Sequence, residues 1–319
     1  MNPVRKFIQL LLRNKSKFVL TGLATVVFLF ILFPFEDLSD LVSSKVSEAT
    51  QNSVYLQFDN LHVNLFPLPH LYLEQVHIET IKTPSLTAQE LTITPSWSSL
   101  IAQKPYGQIN AHGFLKGDLE LKLNKGQKTE SGLERQRIDV KAEKISLKDV
   151  RELAQLPIMI KGQLNLTGSA LADLSFQEQP EVDLNLNIVN LELPPGTLNT
   201  ALGPVNLPEL KLAQIELKGR LVGGQFIIEE GKIGQSSDEA YGTVRGKMAV
   251  NIQGPSMTPQ LGAYSFDIDL TVKKSFQDRA SLFLSFIDAQ KKSMGDRSQY
   301  RFRISAPGLG LTPSIGALQ

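Results

Sequence analysis

The chain has 319 residues, a formal charge of +1 and no cysteine. Five cations (Arg5, Lys6, Arg13, Lys15 and Lys17) precede the first long apolar run, so of 33 basic residues 28 remain against 32 acids, a net of −4 for the rest of the chain. That balance excludes a nucleic-acid-binding surface, which needs concentrated positive charge, while the lack of cysteine is compatible with export, since a chain of this size builds its core without disulfides.

From Phe18 to Phe35 no residue is charged, and only Thr21, Gly22, Thr25 and Pro34 interrupt the apolar run. Eighteen residues at about 1.5 Å each give roughly 27 Å, close to a bilayer core. The run is longer than a signal-peptide core and ends in Phe33, Pro34, Phe35, Glu36 and Asp37 rather than in small residues, so it is read as retained. Cations before it and acids after it place the N-terminus inside. The expected layout is a cytoplasmic tail over 1–17, a transmembrane helix over 18–35, a juxtamembrane helix within 36–54 and a periplasmic β-rich domain over 55–319. The localisation expected is the bacterial inner membrane, single-pass. Leu38, Leu41, Val42 and Val46 form the stripe of the juxtamembrane helix.

Beyond it, period-two alternation dominates. It runs through Leu61, Val63 and Leu65; Leu119, Leu121 and Leu123; Leu184, Leu186 and Ile188; Tyr264, Phe266, Ile268, Leu270 and Val272; and Tyr300, Phe302 and Ile304. One dry face and one wet face predict antiparallel strands, and the scarcity of crossover helices excludes a doubly wound parallel sheet. Gly126 to Arg137 reads as an exposed loop. Ser146 caps a predicted helix with Leu147, Val150, Leu153 and Leu156 as its stripe, stopped at Pro157. A helical turn or two is expected between Pro195 and Gly203, and a helix from Asp278 to Lys292. Gly117, Gly162, Gly219 and Gly246 each lead an alternating stretch at unequal separations, so they are no solenoid period.

The search for chemistry returns no catalytic, cofactor-binding or metal-binding residue, and no cofactor is expected. His62, His70, His77 and His112 lack ligand spacing, and Pro67 and Pro69 keep His62 and His70 off one unbroken strand. There is no G-x-S-x-G elbow, and the stretch from Gly242 lacks the spacing of a phosphate loop. Trp97 is read as a buried packing residue.

Two stretches carry a resemblance: "SLTAQELTITPSWSSLIAQKPYGQINAHGFLKGDLELKL" from Ser85 to Leu123, and "MGDRSQYRFRISAPGLGLTPSIG" from Met294 to Gly316. Their strand, turn and glycine-led return resemble the type II secretion system protein GspN and, more broadly, AsmA-like proteins. The resemblance implies a mainly β fold: an N-terminal transmembrane helix, then an extended antiparallel, groove-like or half-barrel sheet with a few short helices. It implies a non-enzymatic, inner-membrane-anchored periplasmic component of the type II protein secretion system. Its expected partners are membrane lipid and other secretion-system envelope subunits. The alternative it implies is an AsmA-like lipid-binding or lipid-transfer envelope protein, with phospholipid in a β-groove.

Overall fold

The computed structural model describes residues 15–32, 38–50, 52–64, 68–80, 84–97, 99, 106–128, 132–173, 177–200, 203–252, 259–308 and 310–318. Helix α1 spans Lys15–Leu32 and α2 Ser39–Ala49. Strands β1 (Val54–Gln57), β2 (Asn60–Asn64), β3 (His70–Thr80), β4 (Leu86–Pro95), β5 (Gly107–Phe114), β6 (Gly117–Lys128) and β7 (Glu134–Ser146) lead to α3 (Leu147–Leu153). Then come β8 (Lys161–Ala172), β9 (Glu181–Leu193), β10 (Gly196–Thr200), β11 (Gly203–Leu207), β12 (Leu210–Val222), β13 (Gln225–Ile233), β14 (Ala240–Asn251) and β15 (Gln260–Lys273). After α4 (Lys274–Arg279), α5 (Ser281–Leu284) and a 3-10 turn at Ser285–Gln290, the chain ends in β16 (Lys291–Met294), β17 (Arg297–Ala306) and β18 (Ser314–Ala317).

Sixteen strands form one sheet in the order β1-β3-β4-β5-β6-β7-β8-β9-β12-β13-β14-β15-β17-β16, with β2 also on β3 and β18 also on β17. Every pairing is antiparallel. The order is linear, so the sheet is open, and the predicted antiparallel β class holds. Each outer long strand is covered by two short ones placed end to end, β1 and β2 on β3 and β16 and β18 on β17. Such broken edges offer a poor template for another strand.

Two apolar clusters hold helices on the sheet. At the first flank Leu38, Val42 and Val46 of the α2 region pack against Leu56, Leu73, Val76 and Ala88. Leu41, predicted for the same stripe, turns outward and is exposed. At the second flank Phe276, Ala280, Leu284 and Ile287 cover Leu212, Val272 and Tyr300. Glu239 ties that layer down: its carboxylate accepts from Arg279 Nη1 at 3.3 Å and from Ser275 Oγ at 3.1 Å. The Arg279 guanidinium beside Glu239 holds its carboxyl below the usual carboxylate range. A depressed carboxylate stabilises above its unfolded value and loses that contribution as pH falls through the folded one. Glu239→Gln therefore lowers stability slightly at pH 7, by less than about 1 kcal/mol for so exposed a pair. Calorimetry should show wild type and variant converging below about pH 4.

Several expectations change. α1 begins at Lys15 and ends at Leu32, with 33–35 outside the described residues. Its apolar part from Phe18 covers about 22 Å, and among the described residues no helix is long and apolar enough to cross a membrane. The helix at Ser146 forms with the predicted cap, Ser146 Oγ accepting from the Asp149 N–H, but it ends at Leu153 rather than at Pro157, and Leu156 of its predicted stripe is exposed. The turn between Pro195 and Gly203 is instead part of a separate hairpin, β10 with β11. Gly126 to Arg137 is mostly strand, since β6 runs to Lys128 and β7 starts at Glu134; cross-strand pairing overrides its polar composition. The predicted helix at Asp278–Lys292 starts earlier, breaks at Ala280 and yields to β16. Trp97 is 58% exposed rather than buried.

Candidate functional site

The alternating apolar residues align across the whole sheet. One row runs Val63, Leu71, Ile93, Ile109, Leu121, Val140, and continues through Gly168, Leu184, Gly219, Ile228, Gly246, Phe266 and Ile304. The neighbouring row on the same face includes Leu73, Leu91, Ala111, Leu119, Ala142, Leu166, Leu186, Leu217, Val244, Ile268 and Phe302. A one-residue slip at any strand would turn its apolar set to water, so the rows fix each other's register.

The covering of this face is uneven. Its flanks are buried under the two helical layers. In the middle strands Leu121, Val140, Leu166, Leu184, Leu186 and Leu217 are only half-buried and belong to neither cluster. Ile109 beside them is exposed. This aligned apolar surface is left partly wet, and apolar area of that kind gains free energy from any apolar cover.

Glycines shape the row. A Cβ on Gly219 would sit 2.7 Å from Phe226 Cζ, and one on Gly246 would sit 2.7 Å from Phe266 Cδ1. The two phenyl rings lie where a side chain would otherwise stand, which keeps the row low and continuous. Gly219 and Gly246 thus stand inside β12 and β14 rather than at their starts. Only Gly117 begins its strand, and Gly162 is second in β8.

The opposite face carries cross-strand ion pairs. Arg303 is bidentate to Asp267 at 2.6 and 2.9 Å, and Lys232 lies 3.4 Å from Glu216. The Arg303 pair holds the Asp267 carboxyl below its usual range. Both partners are exposed and matched in charge, which gives a solvated surface rather than a reactive cluster. A shallow cleft of about 420 Å³ there is lined by Arg137, Asp139, Ser169, Asp183, Lys218 and Glu229.

The histidines lie on the first strands and at β5. His62 stacks on Tyr72 across β2 and β3, with ring centroids 6.1 Å apart. His70, two residues from Tyr72, joins the same face through the hairpin, so an unbroken strand is not needed to bring it beside His62. His112 Nδ1 meets Asp118. Among the described residues no three His, Asp or Glu side chains gather as metal ligands.

The period-two pattern revealed the face but not its uncovered centre. That feature depends on where the helices land, which only the tertiary packing decides.

A family model described as "Type II secretion system protein GspN-like, Synergistales" matches residues 14–197, more than half of the chain. No curated protein and no solved structure matches it.

Proposed function

The chain belongs to the GspN-like family of type II secretion proteins, and we propose that it acts there as a membrane-anchored, non-enzymatic scaffold whose sheet stands in the periplasm. The match over residues 14–197 carries the secretion part of this reading; it takes in α1 and the strands β6 to β9, which hold most of the half-covered apolar face. The anchor is Phe18–Phe35. Val19, Leu20, Leu23, Phe28 and Leu32 are all exposed on α1, an arrangement that costs free energy in water and none in lipid. The one-sided flanking charge sets the N-terminus in the cytoplasm. The broken edges at β1, β2, β16 and β18 disfavour docking by strand addition, so the envelope subunits of the secretion machine meet the apolar face around Val140 and Leu166.

The half-buried state of Leu121, Val140, Leu166 and Leu184 also supports a second reading, in which the face is an AsmA-like groove that holds a phospholipid acyl chain. One experiment separates the two. A photoreactive benzoylphenylalanine replaces Val140 in the full chain in cells, and the adduct is identified by mass spectrometry. The first reading expects a protein adduct that belongs to the secretion apparatus, the second a phospholipid adduct. Absence of both adducts, with secretion intact on deletion of the gene, would overturn the scaffold. Alkaline carbonate extraction tests the anchor separately: release of the chain into the supernatant sinks it.

A further inference from the structure

The stretch from Lys273 to Arg297 carries a surface that the sheet does not use. Phe276, Ala280, Leu284 and Ile287 point into the core. Leu282, Phe283 and Phe286, on the turns between them, point away from it, with Phe286 71% and Leu282 54% exposed. Met294 on β16 is exposed as well. Over the same stretch six cations stand against the three acids Asp278, Asp288 and Asp296, a net of +3. Arg279 is engaged by Glu239, and Lys291 lies 3.9 Å from Asp288. Lys274 and Lys292 are exposed and make no ion pair among the described residues.

A segment that buries one apolar side in its own core and shows aromatic and leucine side chains on the other has two surfaces to satisfy. We propose that this outer surface is a lipid-binding contact: Leu282, Phe283 and Phe286 enter the interface of an anionic bilayer while Lys274 and Lys292 meet its headgroups. The composition favours lipid over a protein partner. Lysine is depleted in protein–protein interfaces, whereas lysine beside exposed Phe and Leu is the composition of segments that lie in a membrane interface. The position makes it a separate contact. β15 to β17 lie at the opposite edge of the sheet from β1, which follows α1 and α2. The inference rests on the reading that the chain works at a membrane, but not on α1 being its anchor.

The absence of cysteine makes the test clean. The full chain, held in nanodiscs of phosphatidylcholine, carries Phe286→Cys labelled with an environment-sensitive fluorophore. A matched control carries the label at Val222→Cys, an exposed site at the end of β12. Vesicles rich in phosphatidylglycerol and doped with nitroxide lipid are then added. The expected result is a blue shift and quenching at position 286 and neither at position 222. Leu282→Ser with Phe283→Ser should weaken vesicle binding roughly tenfold or more, with far-UV circular dichroism unchanged. Lys274→Glu with Lys292→Glu should abolish the preference for phosphatidylglycerol. No quenching at 286, equal quenching at 222, an equal response to phosphatidylcholine vesicles, or a protein adduct at 286 in cells overturns the proposal. Carbonate release of a chain that still responds at position 286 would sink the anchor and leave this contact standing.

Discussion

Gly246→Val unfolds the second half of the sheet or lowers its thermal midpoint by roughly 6–20 °C, taking about 3–5 kcal/mol at 2–4 °C per kcal/mol for a domain of this size. Three features of the site converge on that size. The residue holds φ +154°, at the margin of what a side chain tolerates. A Cβ there falls inside contact distance of the Ser265 carbonyl oxygen and 2.7 Å from Phe266 Cα, both backbone atoms of the paired strand β15 that cannot turn aside. It also displaces the Phe266 ring from the apolar row. Overpacking that must move a strand costs more than overpacking that moves a side chain. Gly316→Val is the control, because nothing lies within 4 Å of its Cβ and its φ is ordinary; it should stay within about 0.5 kcal/mol of the parent. Circular dichroism melts of the two variants check the pair, and equal midpoints would remove the argument for ring-on-glycine packing.

The same glycine shows how much of the molecule was legible in the sequence. Strand identity was legible because alternation is a local signal: Leu119, Leu121 and Leu123 declare their shared face without any knowledge of β5 or β7. The helix at Ser146 was legible for the same reason, since the cap and stripe lie within one segment. Long-range facts were not. "GKMAV" reads as a strand start, and only the pairing to Phe266 shows that Gly246 stands mid-strand to seat a ring. The stretch "TLNTALG" shows no alternation, and the hairpin it joins is fixed by partners across the turn, Thr197 opposite Asn206 and Thr200 opposite Gly203. Leu282, Leu284 and Phe286 suit a strand face while Phe283, Phe286 and Ile287 suit a helical stripe, and the structure breaks the segment into short turns over the core. The candidate face lies between these cases. Leu121, Leu184 and Leu186 were named by their alternation, Val140 and Leu217 were not, and that Val140 and Leu166 stay half-covered while Leu212 and Val272 are buried depends on the lengths and landing points of α2 and α4.

That difference in cover separates a docking role from a packing role, and Leu166→Asp against Leu212→Asp exposes it. Both are leucines on the apolar side of long central strands. Leu212 is 3% exposed inside the second cluster, so a carboxylate there is desolvated without a partner and the domain should fail to fold. Leu166 is half-buried between Ala142 and Leu186. Water reaches a carboxylate at that position, so the folding cost should be only about 1–3 kcal/mol. Whatever covers the face, subunit or acyl chain, must leave that charge dry, and a few such central positions dominate an interface. Export of a type II substrate, measured as the extracellular fraction, should therefore fall roughly tenfold or more in Leu166→Asp while the purified protein keeps its far-UV spectrum and a cooperative melt. Leu166→Met, which keeps the volume and stays apolar, should export normally. Full export by a folded Leu166→Asp chain would mean that nothing binds this face during secretion.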